Sequence, residues 1–117
     1  MRVAGFGFQS GTGISSLLAA LALAGGPVDA VATVENKSGG LKALASQLNL
    51  PLIAVSRAEI AAHPRPGSER VRHLYGTGSV AEASALAAAG RGAVLVVGRV
   101  TSFDGRAVVA IAEGPGA

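Results

Sequence analysis

Val3-Ala4-Gly5-Phe6-Gly7-Phe8-Gln9-Ser10-Gly11-Thr12-Gly13, running on into Ile14-Ser15-Ser16-Leu17-Leu18, is the stretch that decides the fold. An apolar strand breaks into a glycine-rich turn. The turn feeds a helix whose apolar residues recur at Ile14, Leu17, Leu18 and Leu21. Glycines let a ligand approach the backbone closely, and the first N–H groups of a helix have no partner within it, so such a turn can cradle an anion. The rest of the chain repeats the alternation. Val28–Val34 reads as a second strand, Glu35–Gly40 as a polar loop, and Leu41, Leu44, Ala45 and Leu48 as the face of a second helix that Asn49 and Pro51 end.

Leu52–Val55 is a short third strand. Ser56 and Glu59 form a capping box opening a helix that Pro64 cuts off, and Ser68 is placed to cap a short helix through Leu74. Tyr75-Gly76-Thr77-Gly78 is a second glycine-rich turn. A second capping box, Ser79 with Glu82, opens an alanine-rich helix that closes at Gly90. Thr12 is read as the N-cap of the first helix, over Gly13–Ala24. Ala93–Val97, the most apolar run, reads as a central strand, followed by a weaker apolar stretch at Val100–Phe103. Asp104-Gly105 signals a tight turn into a last strand, Ala107–Ala112, expected antiparallel at an edge. The expectation is an α/β fold: three layers, with a mostly parallel central sheet of about five strands and helices on both faces. With no repeat and no linker, 1–117 reads as one domain.

Composition excludes several function classes. Half of the 117 residues are apolar but only 3% are aromatic, so Ala, Leu and Val must build the core. The net charge of +3 comes from scattered basic residues, without the dense stripe or stacking aromatics of a nucleic-acid binder. Arg70 and Arg72 read as a solvated face. There is no cysteine, which removes thiolate chemistry and disulfides and suits a reducing cytoplasm. The N-terminus has no signal-peptide pattern, and the apolar run at 17–26 is too short to span a bilayer. His63 and His73 lack metal-ligand spacing, so neither a metal nor a resident cofactor is expected. Charged residues make up only 15%, which leaves room for weak self-association.

The candidate site follows from the turns. In a parallel sheet, helix N-termini gather at the carboxyl ends of the strands. Gly5, Gly7, Gly11 and Thr12 on the first turn, Gly76, Gly78 and Ser79 on the second, and Lys37 after strand two would then share one edge. Together they suit carboxylates or phosphates. Gly5, Gly7 and Gly11 are spaced one residue too long for a dinucleotide fingerprint, although Glu35 stands near the place of a ribose-binding acid; a nucleotide site therefore stays open. No Lys-Ser/Thr pair follows the glycines, so this is not a P-loop. Glu35 and Glu82 would serve as acid and base if they were close, and Glu82 also fits a capping role.

Gly5-x-Gly7-x-x-x-Gly11-Thr12, then Thr33-x-x-x-Lys37, then Gly76-x-Gly78-Ser79-Val80-Ala81-Glu82-Ala83, in that order, resembles the CobE family, which is also the C-terminal domain of CbiG proteins. The likeness covers nearly the whole chain, and Ser-Val-Ala-Glu-Ala is its most specific part. The resemblance implies a role in cobalamin biosynthesis, with a precorrin or corrinoid intermediate as ligand and other enzymes of the pathway as partners. Complete CbiG proteins carry a further N-terminal domain and open the ring A δ-lactone of cobalt-precorrin-5A with loss of acetaldehyde. The stand-alone CobE type belongs with the aerobic route. Two departures weigh against hydrolysis. Ser15 and Ser16 stand where relatives often carry Glu, and Gly98-Arg99 stands where a Lys is common. A corrinoid-binding protein is thus the first expectation, a lactone hydrolase or its C-terminal half the second, and a nucleotide-binding module the third.

Overall fold

A computed structural model describes residues 1–61 and 77–116, the side chains of 61 and 77–79 excepted. Its framework is a five-stranded sheet in the order β3-β2-β1-β5-β4. The strands are β1 (Arg2–Phe8), β2 (Ala30–Val34), β3 (Leu52–Val55), β4 (Val94–Thr101) and β5 (Ala107–Glu113). The helices are α1 (Ile14–Ala24), α2 (Lys42–Leu48), α3 (Arg57–Ala61) and α4 (Thr77–Ala89), with a 3-10 helix over Glu35–Leu41 where a polar loop was expected. The Ser68-capped helix falls outside the described residues.

β1, β2 and β3 pair in parallel, while β5 runs antiparallel to both β1 and β4. Four strands therefore point one way and β5 the other. The expected antiparallel last strand is present, but in the sheet interior. It pairs with β1 along its whole length, from Arg2↔Glu113 to Phe8↔Ala107. Six of its seven residues are buried, and only Glu113 is exposed. The chain folds back through the Asp104-Gly105 turn and takes the central place that Ala93–Val97 was expected to fill. β4 becomes an edge, with Val94 59% and Val96 43% exposed. Its apolar character comes from Leu95, Val97 and Val100, which pack on the two cores. Register shifts between Leu95 and Val97 and between Val97 and Val100 break up this edge, and the two apolar stretches read separately in the sequence fuse into one irregular strand.

Alternation along β1 divides the core in two. Ala4, Phe6 and Phe8 point to α1 and α2, with Leu17, Leu21, Leu41 and Leu44. Val3 points the other way, toward α3 and α4, joining Val55, Ala85, Leu86 and Ala89. Gly5 lies on that second face. A Cβ there would sit 2.1 Å from the Ala81 carbonyl oxygen and 2.5 Å from the Ala85 nitrogen. The α4 backbone rests directly on β1, which only glycine permits. The helix meets the sheet through Ala81, Ala85, Ala88 and Ala89, against Ala30, Ala32, Ala110 and Ala112. This α4-side layer is too shallow for rings, and the buried phenylalanines, Phe6 and Phe8, lie on the α1 side.

Gly5→Ala should lower stability by ~3 kcal/mol or more, at the upper end of the overpacking range, because the new methyl meets backbone rather than a movable side chain. Gly98→Ala, which enters open space, should stay within about 0.5 kcal/mol. Urea unfolding of both variants checks this contrast; equal midpoints would contradict the close approach.

Candidate functional site at the carboxyl edge

β1, β2 and β4 all end at one edge of the sheet. α1 starts there after β1. α4 starts there too: its last residue, Ala89, accepts a hydrogen bond from Gly116 N beyond the far end of β5, which places its C-terminus at the opposite edge. The two helices reach the carboxyl edge from opposite faces of the sheet.

The Gln9–Gly13 turn is held by its own bonds. Thr12 N donates to Gln9 O at 3.1 Å, and Thr12 Oγ1 donates to the same oxygen at 2.6 Å. Thr12 is therefore a turn residue. The N-cap of α1 is Gly13, with no side-chain cap bond, and no acid stands in the first turn of the helix. Gly11 adopts φ +82°, a left-handed conformation in open space, which glycine takes without strain. The turn is tied on one side to the β4–β5 connection, since Gln9 N donates to Arg106 O at 3.2 Å. On the other side, Lys37 Nζ donates to Ser10 Oγ at 3.0 Å and lies 5.6 Å from the centroid of the Phe8 ring.

Those two contacts position Lys37 without neutralising it. A cation over an aromatic face is worth about 0.5–1 kcal/mol at an exposed site, and a hydroxyl carries no charge. Among the described residues Lys37 pairs with no carboxylate. The ammonium and the uncapped helix N-terminus are the two features here that favour an anion, while the ionised Asp104 lies on the Ser16 side of the same helix start.

The β4–β5 turn is more tightly organised than its Asp-Gly signal foretold. Ser102 Oγ donates to Asp104 Oδ1 at 2.5 Å, and Arg106 N donates to the same oxygen at 3.1 Å. Ser16, in the first turn of α1, donates its hydroxyl to Asp104 Oδ2. The Ser102 hydroxyl, then the Ser16 hydroxyl and the Arg106 amide, hold the Asp104 carboxyl down to about 2 from 3.8. So acidic a group is a poor general base at neutral pH. Its role is to fasten α1 to the turn. Ser15, Ser16, Ala19, Ser102, Phe103 and Asp104 line an open depression of about 170 Å³ beside this junction.

The predicted site residues are distributed unevenly. Gly11, Thr12 and Lys37 come together around Ser10. Gly5 and Gly7 lie buried within β1 rather than on the turn, and Gly5 is accounted for by α4. Gly76 lies outside the described residues, as do His63, His73, Arg70 and Arg72. α4 already begins at Thr77, so Gly78 and Ser79 fall in its first turn, and Ser79 is a helical residue rather than the cap that the Ser79–Glu82 box implied. Glu35 is exposed at the start of the 3-10 helix after β2. Glu82 stands 4.0 Å from Arg99 on β4, with β1 and β5 between β4 and β2, so the two acids are not a matched pair. Among the described residues no group of three His, Asp or Glu side chains could hold a metal, and no helix is long and apolar enough to cross a membrane. Sequence reading missed Ser10, Ser16, Ser102 and Phe103. Only the Asp104-Gly105 turn signal pointed toward the last two.

A family model described as cobalamin synthesis G C-terminus matches residues 2–112. The chain belongs to that family. It is a cobalamin biosynthesis protein of the CbiG C-terminal and CobE type. A solved structure of cobalamin biosynthesis protein ChiG from Agrobacterium tumefaciens is 35% identical, with 98% of this chain and 99% of that one covered and a TM-score of 0.76. CobE, a protein from the cobalamin (vitamin B12) biosynthetic pathway, is 29% identical over 96% of this chain and 89% of its own, with a TM-score of 0.75. A cobalamin biosynthesis protein G homologue from Sulfolobus solfataricus shares the fold at 18% identity and a TM-score of 0.73; the match takes in 99% of this chain but only 37% of that longer protein. No curated protein sequence matches the chain closely.

Asp104 also sets an acid limb. Its folded pKa lies below the unfolded value, so the unfolded chain takes up the proton first as pH falls. The stabilisation is present above about pH 4 and disappears as pH drops toward 2. Thermal melts from pH 2 to 6 should show Asp104→Asn with a lower Tm than the parent at pH 6 and a shallower fall between pH 4 and 2. Parallel curves would contradict the fastening role.

Proposed function

We propose that this protein binds a precorrin or corrinoid intermediate at the carboxyl edge through its peripheral carboxylates. The observation that carries the reading is Lys37, held by Ser10 beside the uncapped start of α1 and facing no carboxylate among the described residues. Tetrapyrrole intermediates of cobalamin synthesis carry acetate and propionate groups around a flat ring. An ammonium and outward N–H groups suit the former. Gly11 and Thr12 shape the turn that presents those N–H groups. Gly78, Ser79 and Glu82, in the first two turns of α4, would bound the same edge from the other face.

A cobalt-precorrin-5A lactone hydrolase, or half of one, ranks second. It needs a group to position water. Glu35 and Glu82 are on separate flanks, Glu82 stands beside Arg99, and Asp104 is too acidic to act as a base. A nucleotide module ranks third, because Gly5 and Gly7 are spent inside β1.

Titration with hydrogenobyrinic acid, followed by its visible spectrum, tests the reading. Binding is expected, and Lys37→Ala should weaken it by ~1–3 kcal/mol, the worth of one charge-assisted contact. No spectral change up to high micromolar protein would sink it. Acetaldehyde release by the isolated chain would favour the hydrolase instead.

A further inference from the structure

Phe103 is out of keeping with the other phenylalanines. Phe6 and Phe8 are buried at 0% and 5%, while Phe103 is 92% exposed at the tip of the β4–β5 turn. Single exposed apolar residues are common and by themselves mean little. Here the turn beneath the ring is pinned. Gly105 N donates to Ser102 O at 2.9 Å, Ala107 N donates to Ser102 Oγ at 3.2 Å, and Asp104 binds Ser102, Arg106 and Ser16 together. A ring on a turn fastened to α1 loses little freedom when something lies against it.

The surface beside it suits a flat occupant. Ser15, Ser16 and Ala19 are small, and with Ser102, Phe103 and Asp104 they border an open depression of about 170 Å³, where both Asp104 oxygens are already taken up by Ser102, Arg106 N and Ser16. That is below the roughly 300–1,000 Å³ of pockets that enclose a small molecule, so it is a shelf rather than a container. Lys37 follows β2 and Phe103 precedes β5, and these strands flank β1 on opposite sides. Two inter-strand spacings separate them, about 10 Å. The start of α1 lies between, tied to both sides through Ser10 and Arg106. A cation on one flank and an aromatic ring on the other fit a ligand with a charged rim and an apolar face.

We propose that Phe103 is the apolar contact for the ring face of the bound tetrapyrrole, and that it separates this ligand from other polycarboxylates. The inference rests on the corrinoid-binding reading above. Lys37 holds the rim, and Phe103 covers part of the face that the shelf of Ser15, Ser16 and Ala19 supports.

The test compares the full chain with Phe103→Ala and Phe103→Trp, using hydrogenobyrinic acid and, as a ringless control, propane-1,2,3-tricarboxylate. Phe103→Ala should weaken hydrogenobyrinic acid binding about tenfold, Phe103→Trp should restore it, and Tm should move by no more than ~3 °C. Tricarboxylate binding should be the same in all three. Unchanged hydrogenobyrinic acid affinity in Phe103→Ala would overturn the inference and leave the corrinoid reading standing. Equal losses for both ligands, or a large drop in Tm, would overturn it by making Phe103 a prop of the turn. Failure of the unaltered chain to bind hydrogenobyrinic acid would overturn the corrinoid reading and this inference with it.

Discussion

The close approach of α4 to Gly5 is the constraint on which the architecture rests. With the Ala81 oxygen 2.1 Å from where a Cβ would stand, helix and strand meet backbone to backbone. Everything around that contact must then be small, which explains why Ala81, Ala85, Ala88 and Ala89 face Ala30, Ala32, Ala110 and Ala112. The two layers are built on different scales. The α4 side is shallow and alanine-lined, whereas the α1 side takes Phe6, Phe8, Leu17, Leu41 and Leu44. One strand serves both, because alternate residues of β1 face opposite ways.

The same strand generates the candidate site. Beyond Phe8 the chain leaves the sheet as a bonded turn and enters α1 without a side-chain cap. Its neighbours β2 and β5 bring Lys37 and the Ser102–Arg106 turn to either side. Because β5 runs antiparallel, its preceding turn arrives at the carboxyl edge instead of leaving from it. The interior place of β5 thus both completes the sheet and delivers Asp104 to Ser16.

Much of this was legible in the sequence. β1 and β3 occupy the stretches read for them, because apolar runs bounded by Gly, Pro or Asn leave little choice. The Ser56–Glu59 capping box forms with both bonds at 3.1 Å, and Asn49 ends α2 in a left-handed conformation. These features are local. What could not be read depends on distant partners. Ala93–Val97 has the composition of a central strand, and only the pairing of β5 with β1 pushes it to the edge. Thr12 has the chemistry of a cap, but the Gln9 carbonyl holds its hydroxyl in the turn. Ser16 and Asp104 lie 88 positions apart and carry no mutual signal. Gly5 announced itself as special, but whether for a ligand or for a helix was decided only by where α4 lies.

In the proposed function, one edge of the sheet, around the start of α1, receives a polycarboxylate ring. Mapping backbone amide shifts of the labelled protein on addition of hydrogenobyrinic acid addresses it most directly. Shifts should concentrate at Ser10–Ser16, Lys37–Gly39 and Ser102–Gly105, with Gly90–Gly92 and Gly114 unmoved. Shifts centred on the exposed β4 edge at Val94–Val96, or at the opposite end of the sheet, would contradict it.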